Sequence, residues 1–355
     1  MEQKKLRVGI IGVGNIAEQH IQAYKANHRV ELYAFCDINE QRVKQKGAKH
    51  GVTRLFTNKD DMLSLPELDA VSVCTWNSEH APCTIAALNA GKHVLCEKPM
   101  ATCTTDAIAM QEASIRNNKL LMIGFVRRYG NDAAILKDFI DQGSLGDIYY
   151  SKATYLRGNA GGWFGDKSRS GGGPLIDLGV HVLDLVRYLS GNPKPISVYG
   201  ATFQKLFNRP NIKNNVEYQA SDVSSRGTTP CDVEDLASAL IRFEDGSVIS
   251  LEASFSLNIK SPIGRIEMFG TKGGAKVEPE LELYNDINGY LTNITFSAPT
   301  ALSFNGLFAK EINHYVNCLL DGIECLSPAK DGVEIMRILD AIYESAALGH
   351  EIILQ

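Results

Sequence analysis

Three side chains in this sequence could together move a proton: Lys98, Asp177 and His181. Lys98 stands in Glu97-Lys98-Pro99, directly after the apolar run 94–96. Asp177 and His181 are four residues apart, so a helix would place both on one face. Lysine, carboxylate and histidine together supply the acid, base and charge needed for proton transfer at a hydroxyl group. A histidine beside an apolar stripe is more often a packing residue, so a structural role for His181 stays open.

A glycine motif near the N-terminus is typical of dinucleotide binding. It reads Gly12-Val13-Gly14-Asn15-Ile16-Ala17 and follows the apolar run Leu6–Ile11. Gly12 permits a tight turn, and Gly14 lets the backbone approach a pyrophosphate. A helix that opens at Asn15 and Ile16 would offer backbone N–H groups to the phosphates. The motif therefore predicts a dinucleotide cofactor, with an ordinary structural turn as the alternative.

An acidic residue, Asp37, ends the next apolar run, Val30–Cys36. Its carboxylate could accept hydrogen bonds from both ribose hydroxyls and would repel a 2′-phosphate. We therefore expect NAD rather than NADP. NADP is the alternative, because Arg42 is close to Asp37 in sequence and arginine can accommodate a 2′-phosphate.

Further cofactor contacts are expected where later strands of the same sheet end, because ligands bind at that edge. Thr75-Trp76-Asn77 and His80 follow an apolar run and would lie over the nicotinamide half of the cofactor. Glu97 and Lys98 follow the next apolar run. Capping of a helix by Asn77 is the structural alternative, and it is compatible with binding.

The segment 158–173 has seven glycines in sixteen residues and lies just before Asp177. We expect either a static loop or a lid that closes over the substrate. In a lid, Trp163 or Phe164 would stack on a ring of the substrate, and Asn159 or Arg169 would bond its hydroxyl groups.

Strands and helices alternate with short loops over residues 1–125, which predicts a doubly wound parallel sheet. The strands are predicted at Leu6–Ile11, Val30–Cys36, Arg54–Phe56, Ala70–Thr75, Val94–Cys96 and Leu120–Phe125. Because parallel strands end at a common crevice, this sheet would bring the glycine motif and Lys98 to one edge.

Residues 126–355 change to longer alternating segments, which indicate a large, mostly antiparallel sheet with helices on one face. The strands are predicted at Ile148–Arg157, Ile196–Phe203, Ala237–Phe243, Val248–Leu257 and Gly264–Gly270, and two late helices at Phe308–Leu320 and Asp331–Leu348. The polar stretch Leu206–Cys231 has no periodicity and is expected to be a long loop or insertion. The fold class is therefore α/β, with domains of 1–125 and 126–355.

Composition argues against several classes of function. The 355 residues carry a net charge of −5, and 44% are apolar and 22% charged. Neither nucleic-acid binding nor a membrane span is indicated, and we expect no leader peptide. The eight cysteines form no Cys-x-x-Cys pair, which favours reduced thiols and a cytoplasmic protein. No set of histidine, cysteine and carboxylate residues shows metal-ligand spacing, so no metal is expected.

Taken together, these motifs resemble the Gfo/Idh/MocA family of NAD(P)-dependent oxidoreductases, which includes glucose–fructose oxidoreductase and inositol dehydrogenase. The resemblance covers nearly the whole chain and extends to 233–237 and 269–274. It implies an N-terminal Rossmann domain and a C-terminal α/β domain, whose open sheet face would join subunits into a homodimer or homotetramer. It also implies that Lys98, Asp177 and His181 are the catalytic trio. Trp76 departs from the proline usual at its position, which would change the shape of the nicotinamide pocket.

The resulting hypothesis is an NAD-dependent dehydrogenase acting on a secondary alcohol of a sugar or cyclic polyol. His181 would take the hydroxyl proton, Lys98 would stabilise the developing alkoxide, and Asp177 would hold a neighbouring hydroxyl or orient the other two groups. A redox-neutral epimerase or glycosidase that uses NAD is an alternative within enzymes. A non-catalytic NAD-dependent sensor is the alternative outside them, and the intact trio argues against it.

Overall fold

The computed structural model describes residues 5–157, 160–206, 218–219 and 231–354. Within these, the chain forms two compact units. The first comprises Met1–Val126 and Ser303–Val333, and the second comprises Arg127–Leu302 and Glu334–Gln355.

Strands and helices alternate through the first part of the chain, and strands predominate after it. The strands are β1 Leu6–Ile11, β2 Val30–Cys36, β3 Arg54–Phe56, β4 Ala70–Val73, β5 His93–Glu97, β6 Leu121–Gly124, β7 Ile148–Leu156, β8 Ala160–Gly161, β9 Pro195–Phe203, β10 Tyr218–Gln219, β11 Leu236–Phe243, β12 Val248–Ser254, β13 Ile263–Gly270, β14 Gly273–Val277, β15 Glu282–Ile287, β16 Tyr290–Thr295 and β17 Ile352–Ile353. The helices are α1 Asn15–Ala26, α2 Glu40–His50, α3 Lys59–Leu63, α4 Asn77–Asn89, α5 Thr104–Asn117, α6 Asn131–Asp141, α7 Lys167–Ser170, α8 Val180–Leu189, α9 Phe304–Asp321 and α10 Ala329–Leu348. Two 3-10 turns lie at Val126–Tyr129 and Gly162–Gly165, and a π-helical turn lies at Leu175–Gly179.

The first unit is built on a parallel sheet with the strand order β3-β2-β1-β4-β5-β6. Each neighbouring pair in it is parallel. All four residues of β4 and of β6 are buried, as expected for central strands covered by helices on both faces. This is the doubly wound Rossmann arrangement that the sequence predicted, and the prediction is confirmed.

The second unit contains a larger mixed sheet with the order β16-β15-β14-β13-β7-β12-β11-β9-β17. Its pairs are antiparallel except for β12 with β7. The predicted large, mostly antiparallel sheet is therefore confirmed. The alternation along β11, where Ala237, Ala239 and Ile241 are buried and Leu240 is half exposed, shows one covered and one open face.

The observed units differ from the predicted division at 125/126 in one respect. Residues 303–333 belong with the first unit, whereas the sequence alone placed them in the second. The physical reason is that α9 packs on α1 and on the turn after it. The ring centroid of Phe308 in α9 lies 5.6 Å from that of His20 in α1. Arg29, in the turn after α1, donates two hydrogen bonds to Asp321.

Several elements lie outside the predicted set or differ from it in their bounds. The helix α6 and the strands β14 to β16 are additional. The helix α4 begins at Asn77, where Trp76 is the residue before the first turn. Most of the stretch 206–231, for which a long loop was predicted, lies outside the described residues. Within this stretch, the described strand β10 pairs in parallel with β8. No helix in the described ranges has the length and apolar composition that a membrane crossing requires.

Candidate active site

The glycine motif forms a tight turn between β1 and α1, at the edge where the parallel strands end. Gly12 has φ +82°, and a Cβ at this position would lie 2.7 Å from the carbonyl oxygen of Cys74. Only glycine fits this turn, because both the backbone conformation and the close approach exclude a side chain. Gly14 is the N-cap residue of α1, directly before Asn15, and as a glycine it offers no capping side chain. The first backbone N–H groups of α1, at Asn15 and Ile16, are thus placed to hold a phosphate.

Asp37 is tied directly to that turn. It follows β2, it is 6% exposed, and its Oδ2 accepts a hydrogen bond from the N–H of Val13 at 3.0 Å. Its Oδ1 accepts from the N–H of Asn39 at 2.8 Å. Arg42 completes the arrangement with an ion pair to Asp37 at 3.4 Å. The carboxylate is therefore held beside the glycine turn, at the position where a ribose follows the pyrophosphate.

The segment 75–80 joins β4 to α4 and divides into an outer and an inner part. Thr75 and Trp76 are half-buried at the strand end, whereas Asn77 and His80 are 5% and 1% exposed. The Nδ1 atom of His80 lies 2.6 Å from the carbonyl oxygen of Pro99, and Nε2 lies 3.3 Å from that of Thr75. Burial lowers the pKa of His80. The ring of His80 therefore contacts the turn after β5, and the predicted contact of His80 with a cofactor stays a prediction.

Lys98 directly follows β5 and is half-buried at the same strand-end edge. Its backbone N–H donates to Oε2 of Glu97 at 3.2 Å. The other carboxylate oxygen, Oε1, lies 2.8 Å from Nε2 of the fully buried His20. The peptide bond between Lys98 and Pro99 is cis. Glu97, for which a cofactor contact was predicted, therefore points into the first unit and fixes the backbone that carries Lys98.

Asp177 lies in the π-helical turn of the second unit, and His181 lies in the first turn of α8. A continuous α-helix was expected over both residues. The π turn has an i to i+5 hydrogen-bond pattern, a local widening that is often found at functional sites. Asp177 is 5% exposed, and His181 is half-buried.

A cation that the sequence analysis did not single out is paired with Asp177. Arg157 follows β7, and its Nη2 donates to Oδ2 of Asp177 at 3.1 Å. The backbone of Arg157 is itself fixed, since its N–H donates to the carbonyl oxygen of Ser254 at 3.0 Å. A charged residue at the end of a predicted strand was the available signal for Arg157, and it was the same signal that identified Lys98.

The π turn is anchored by Glu234, which is buried and accepts three hydrogen bonds. The donors are the N–H groups of Gly173 and Leu175, at 2.9 and 3.1 Å, and the hydroxyl of Tyr343, at 2.9 Å. Burial raises the pKa of the Glu234 carboxyl. A Cβ on Gly173 would lie 2.2 Å from the carbonyl oxygen of Glu234. The glycines before Asp177 thus allow the chain to approach this anchor.

Asp184, which continues the face of Asp177 and His181 in sequence, has a different role. It is buried, and Arg128 donates to its two carboxylate oxygens at 2.6 and 3.0 Å. This bidentate pair ties α8 to the 3-10 turn Val126–Tyr129.

The described part of the glycine-rich segment contains the short strand β8 followed by short helical turns. The rings of Trp163 and Phe164 are stacked with centroids 4.2 Å apart, and Phe164 packs against the buried cluster of Leu178, Ala253 and Phe255. Arg169, predicted to bond a substrate hydroxyl, is paired with Asp166 at 3.4 Å. Asn159, for which a similar contact was predicted, lies outside the described residues.

The predicted residues fall into two groups. The first unit brings the glycine turn, Asp37, Thr75, Trp76 and Lys98 to the strand-end edge of one sheet. The second unit brings Asp177, Arg157 and the first turn of α8 together at the π turn.

Comparison with known proteins agrees with both units. Residues 6–125 match the family model described as oxidoreductase family, NAD-binding Rossmann fold, and residues 134–276 match that of the GFO/IDH/MocA C-terminal domain. The chain is 32% identical to D-glucoside 3-dehydrogenase of Escherichia coli (strain K12) in an alignment 354 positions long, which covers 98% of this chain and 97% of that relative.

Two further comparisons involve levoglucosan dehydrogenase. The enzyme of Pseudarthrobacter phenanthrenivorans is 26% identical to this chain in an alignment 379 positions long, gaps included, which covers 97% of each protein. The solved structure of levoglucosan dehydrogenase in complex with NADH and L-sorbose matches with a TM-score of 0.86 at 25% identity, covering 99% of both chains.

Proposed function

Because this chain belongs to the Gfo/Idh/MocA family of oxidoreductases, we propose that it transfers a hydride between NAD and a secondary alcohol of a sugar or cyclic polyol. The observation that carries the proposal is the position of Lys98 at the ligand-facing end of β5, in the same sheet edge as the glycine turn. The two relatives, which are dehydrogenases of a D-glucoside and of levoglucosan, support it.

The first unit fits a dinucleotide at this edge. The Gly12 turn has no space for a side chain, the N-cap residue of α1 is a glycine, and Asp37 lies beside the glycine turn. Gly14, Asn15 and Ile16 would hold the pyrophosphate, and Asp37 the adenosine ribose. Thr75, Trp76 and Asn77 at the end of β4 would flank the nicotinamide half. When bound, NAD accepts or donates the hydride.

The chain's own residues handle the proton. His181 takes the proton of the substrate hydroxyl during oxidation, acting as general base. The ammonium group of Lys98 donates a hydrogen bond to the same oxygen and stabilises the negative charge that develops there. That Lys98, Asp177 and His181 act on one alcohol rests on the resemblance to the family.

Asp177 accepts a hydrogen bond from a neighbouring hydroxyl of the substrate and so sets which carbon is oxidised. Arg157, at 3.1 Å, fixes the orientation of this carboxylate and balances its charge at a site that is 5% exposed. A buried carboxylate without such a partner would favour its neutral form. Arg157 is thus a positioning residue for Asp177.

We further propose that the substrate is a hexose derivative oxidised at a ring hydroxyl, since a D-glucoside and levoglucosan, on which the two relatives act, are of this kind. Trp163 would contact its apolar face, because a half-buried indole stacked on Phe164 offers a rigid platform for a sugar ring.

The test is incubation of the full chain with NAD and a panel of hexoses, glucosides, anhydrosugars and inositols. Accumulation of NADH, followed by its near-ultraviolet absorbance, is the expected result for at least one compound. Conversion of a sugar without accumulation of NADH would point to the redox-neutral epimerase or glycosidase. Binding of NADH with no conversion of any compound would point to the sensor.

The open face of the second sheet is our proposed site of self-association. Tyr199 and Leu240 are cross-strand neighbours on it, with 51% and 48% of their surfaces exposed. Exposed apolar patches commonly mark interfaces. Light scattering after gel filtration should give a homodimer or homotetramer, and Leu240→Glu should lower that mass. We also place the enzyme in the cytoplasm, because all eight cysteines are free thiols.

A further inference from the structure

Three side chains with soft donor atoms meet near the C-terminal end of α9: His314, Cys318 and Cys325. His314 and Cys318 are four residues apart and share one face of the helix. The Nε2 atom of His314 lies 3.3 Å from the sulfur of Cys318. That nitrogen and both sulfurs lie within 4.8 Å of one another. We refer to these residues as the thiol cluster.

The local chain path explains how Cys325 reaches the helix. The helix α9 ends at Asp321, and Gly322 reverses the chain with φ +70°, the left-handed conformation that favours glycine. The returning segment is fixed at two points. The N–H of Leu326 donates to Nε2 of His314 at 3.0 Å, and the carbonyl oxygen of Ser327 accepts from the N–H of Ile123 in β6 at 2.9 Å. The thiol cluster is therefore held by the fold of the first unit.

The thiol cluster lies away from the proposed NAD site. Residues next to it on α9 contact the turn between α1 and β2, where Asn27 bonds Asn313 at 2.8 Å and Arg29 bonds Asp321. This turn precedes β2 and so lies at the edge where the strands begin. The glycine turn and Lys98 lie at the edge where they end. None of the three residues has a part in the proposed hydride transfer.

The donor atoms and their spacing suit a tetrahedral zinc ion. With Zn–N of about 2.1 Å and Zn–S of about 2.3 Å, neighbouring ligand atoms lie roughly 3.6–3.8 Å apart. The 3.3 Å separation of Nε2 and the Cys318 sulfur needs to open by only a few tenths of an ångström to match, while Cys325 is within reach. Thiolate and imidazole ligands select zinc over magnesium or calcium, which prefer oxygen.

Two features of the surroundings are compatible with an ion. All three residues are half-buried, so a water molecule can reach a fourth coordination position. Two thiolates neutralise a divalent cation, and the carbonyl end of α9 favours positive charge. Binding moves the Nε2 lone pair of His314 from the N–H of Leu326 to the ion. The loss of that one neutral hydrogen bond is small against three metal–ligand bonds.

We propose that His314, Cys318 and Cys325 bind one zinc ion, with water as the fourth ligand. The ion fastens the connection between α9 and α10 to the end of α9. With three protein ligands among the described residues, the site exchanges its ion more readily than a four-ligand structural zinc site. The spacing of these residues in the sequence did not indicate a metal site, since Cys325 reaches the other two residues only through the turn at Gly322.

The test uses the full chain, stripped of metal and kept in a non-thiol reductant. Titration with Co²⁺ should give thiolate-to-metal charge-transfer absorption that saturates at one ion per chain, and Zn²⁺ should abolish it. Cys318→Ser and Cys325→Ser should each remove this absorption and weaken Zn²⁺ binding at least about 100-fold, since even outer-shell changes weaken metal binding ~10–100-fold. His314→Gln, which keeps both thiols, should also weaken Zn²⁺ binding strongly.

The matched control is Cys231→Ser, which removes another half-buried thiol in the second unit and should change nothing. NADH binding, measured on every variant, shows whether each is folded. If Cys318→Ser or Cys325→Ser does not fold, Zn²⁺ binding by His314→Gln tests the proposal instead. Absence of charge-transfer absorption in the wild type, or Zn²⁺ binding that all three variants retain, would overturn the proposal. So would a chain that binds no metal under reductant but joins Cys318 to Cys325 in a disulfide in air.

Discussion

His20 and Glu97 are joined across the core of the first unit by a 2.8 Å contact between Nε2 and Oε1, and both are buried. The second nitrogen of His20 lies 3.2 Å from the hydroxyl of Ser72, which in turn bonds the hydroxyl of Tyr24 at 2.8 Å. This series of contacts ends at the carboxylate that accepts the N–H of Lys98. The position of the proposed catalytic lysine is thus set from inside the sheet.

Glu97→Gln should therefore lower kcat by about 10- to 100-fold, because a small displacement of a catalytic group has effects of this size. The variant keeps the size of the side chain, so NADH binding should change little. Glu311→Gln is the comparison variant. The carboxylate of Glu311 lies within 4.8 Å of the same atoms of His20 and Glu97, but Glu311 does not adjoin Lys98 in the chain, so kcat should fall less in this variant. A Glu97→Gln enzyme with unchanged kcat would show that the contact serves packing alone.

Asp37→Ala should weaken NADH binding by roughly 10- to 100-fold, the effect of losing hydrogen bonds to a charged group. It should also reduce the preference for NADH over NADPH, because the carboxylate no longer repels a 2′-phosphate. Dissociation constants for both cofactors, measured by fluorescence, check this. Equal binding of NADH and NADPH by the wild-type chain would contradict it and would indicate that Arg42 binds the phosphate.

Lys98→Met keeps the length of the side chain and removes its charge. Turnover should fall by about 10²- to 10³-fold, as when a single donor to a developing oxyanion is removed, and the thermal midpoint without ligand should stay near that of the wild type. Lys92→Met is the control, and it should change stability rather than turnover. The ammonium group of Lys92 bonds the carbonyl oxygens of Leu65 and Leu68, so its loss should reduce stability and spare turnover.

His181→Ala should lower turnover by roughly 10²- to 10⁴-fold and leave NADH binding intact, which is the usual contribution of a positioned general base. Alcohol oxidation by the wild type should rise with pH as the imidazole loses its proton, and the variant should lack this rise. His350→Ala, at an exposed position, serves as the control. Full activity in His181→Ala would make His181 a packing residue.

Trp163→Ala should raise KM about tenfold, with a smaller effect on NADH binding, if the indole contacts the sugar. The chain has two tryptophans, so Trp163 emission can be isolated in a Trp76→Phe background. Saturating substrate added to the NADH complex should change that emission. An unaltered KM together with unchanged emission would assign Trp163 to the scaffold.

The parallel sheet could be predicted because each of its strands can be recognised from a short stretch of sequence. Strands buried on both faces appear as apolar runs, as in β1 and β4, and each is followed by residues that lie at the ligand edge. Gly12, Asp37 and Lys98 could be located for this reason. The alternation in β11 and β12 identified the second sheet in the same way.

The remaining features depend on residues far apart in the chain. The π turn is anchored by Glu234, about sixty residues beyond it, and the same stretch of sequence is compatible with an α-helix. Asp184 lies seven residues after Asp177, and its buried pairing with Arg128, 56 residues earlier in the chain, is visible only in the structure. The inward orientation of His80 likewise depends on Pro99.

The π turn at Leu175–Gly179 makes the number of residues in this segment as important as their identity. An α-helix turns by about 100° for each residue. Deleting one residue between Asp177 and His181 would favour an α-helical pattern and change the angle between these two side chains about the helix axis. Gly179 fits the crowded inner side, where a Cβ would lie 3.2 Å from Leu175. Relatives that share this chemistry should therefore tolerate substitutions here far better than insertions or deletions.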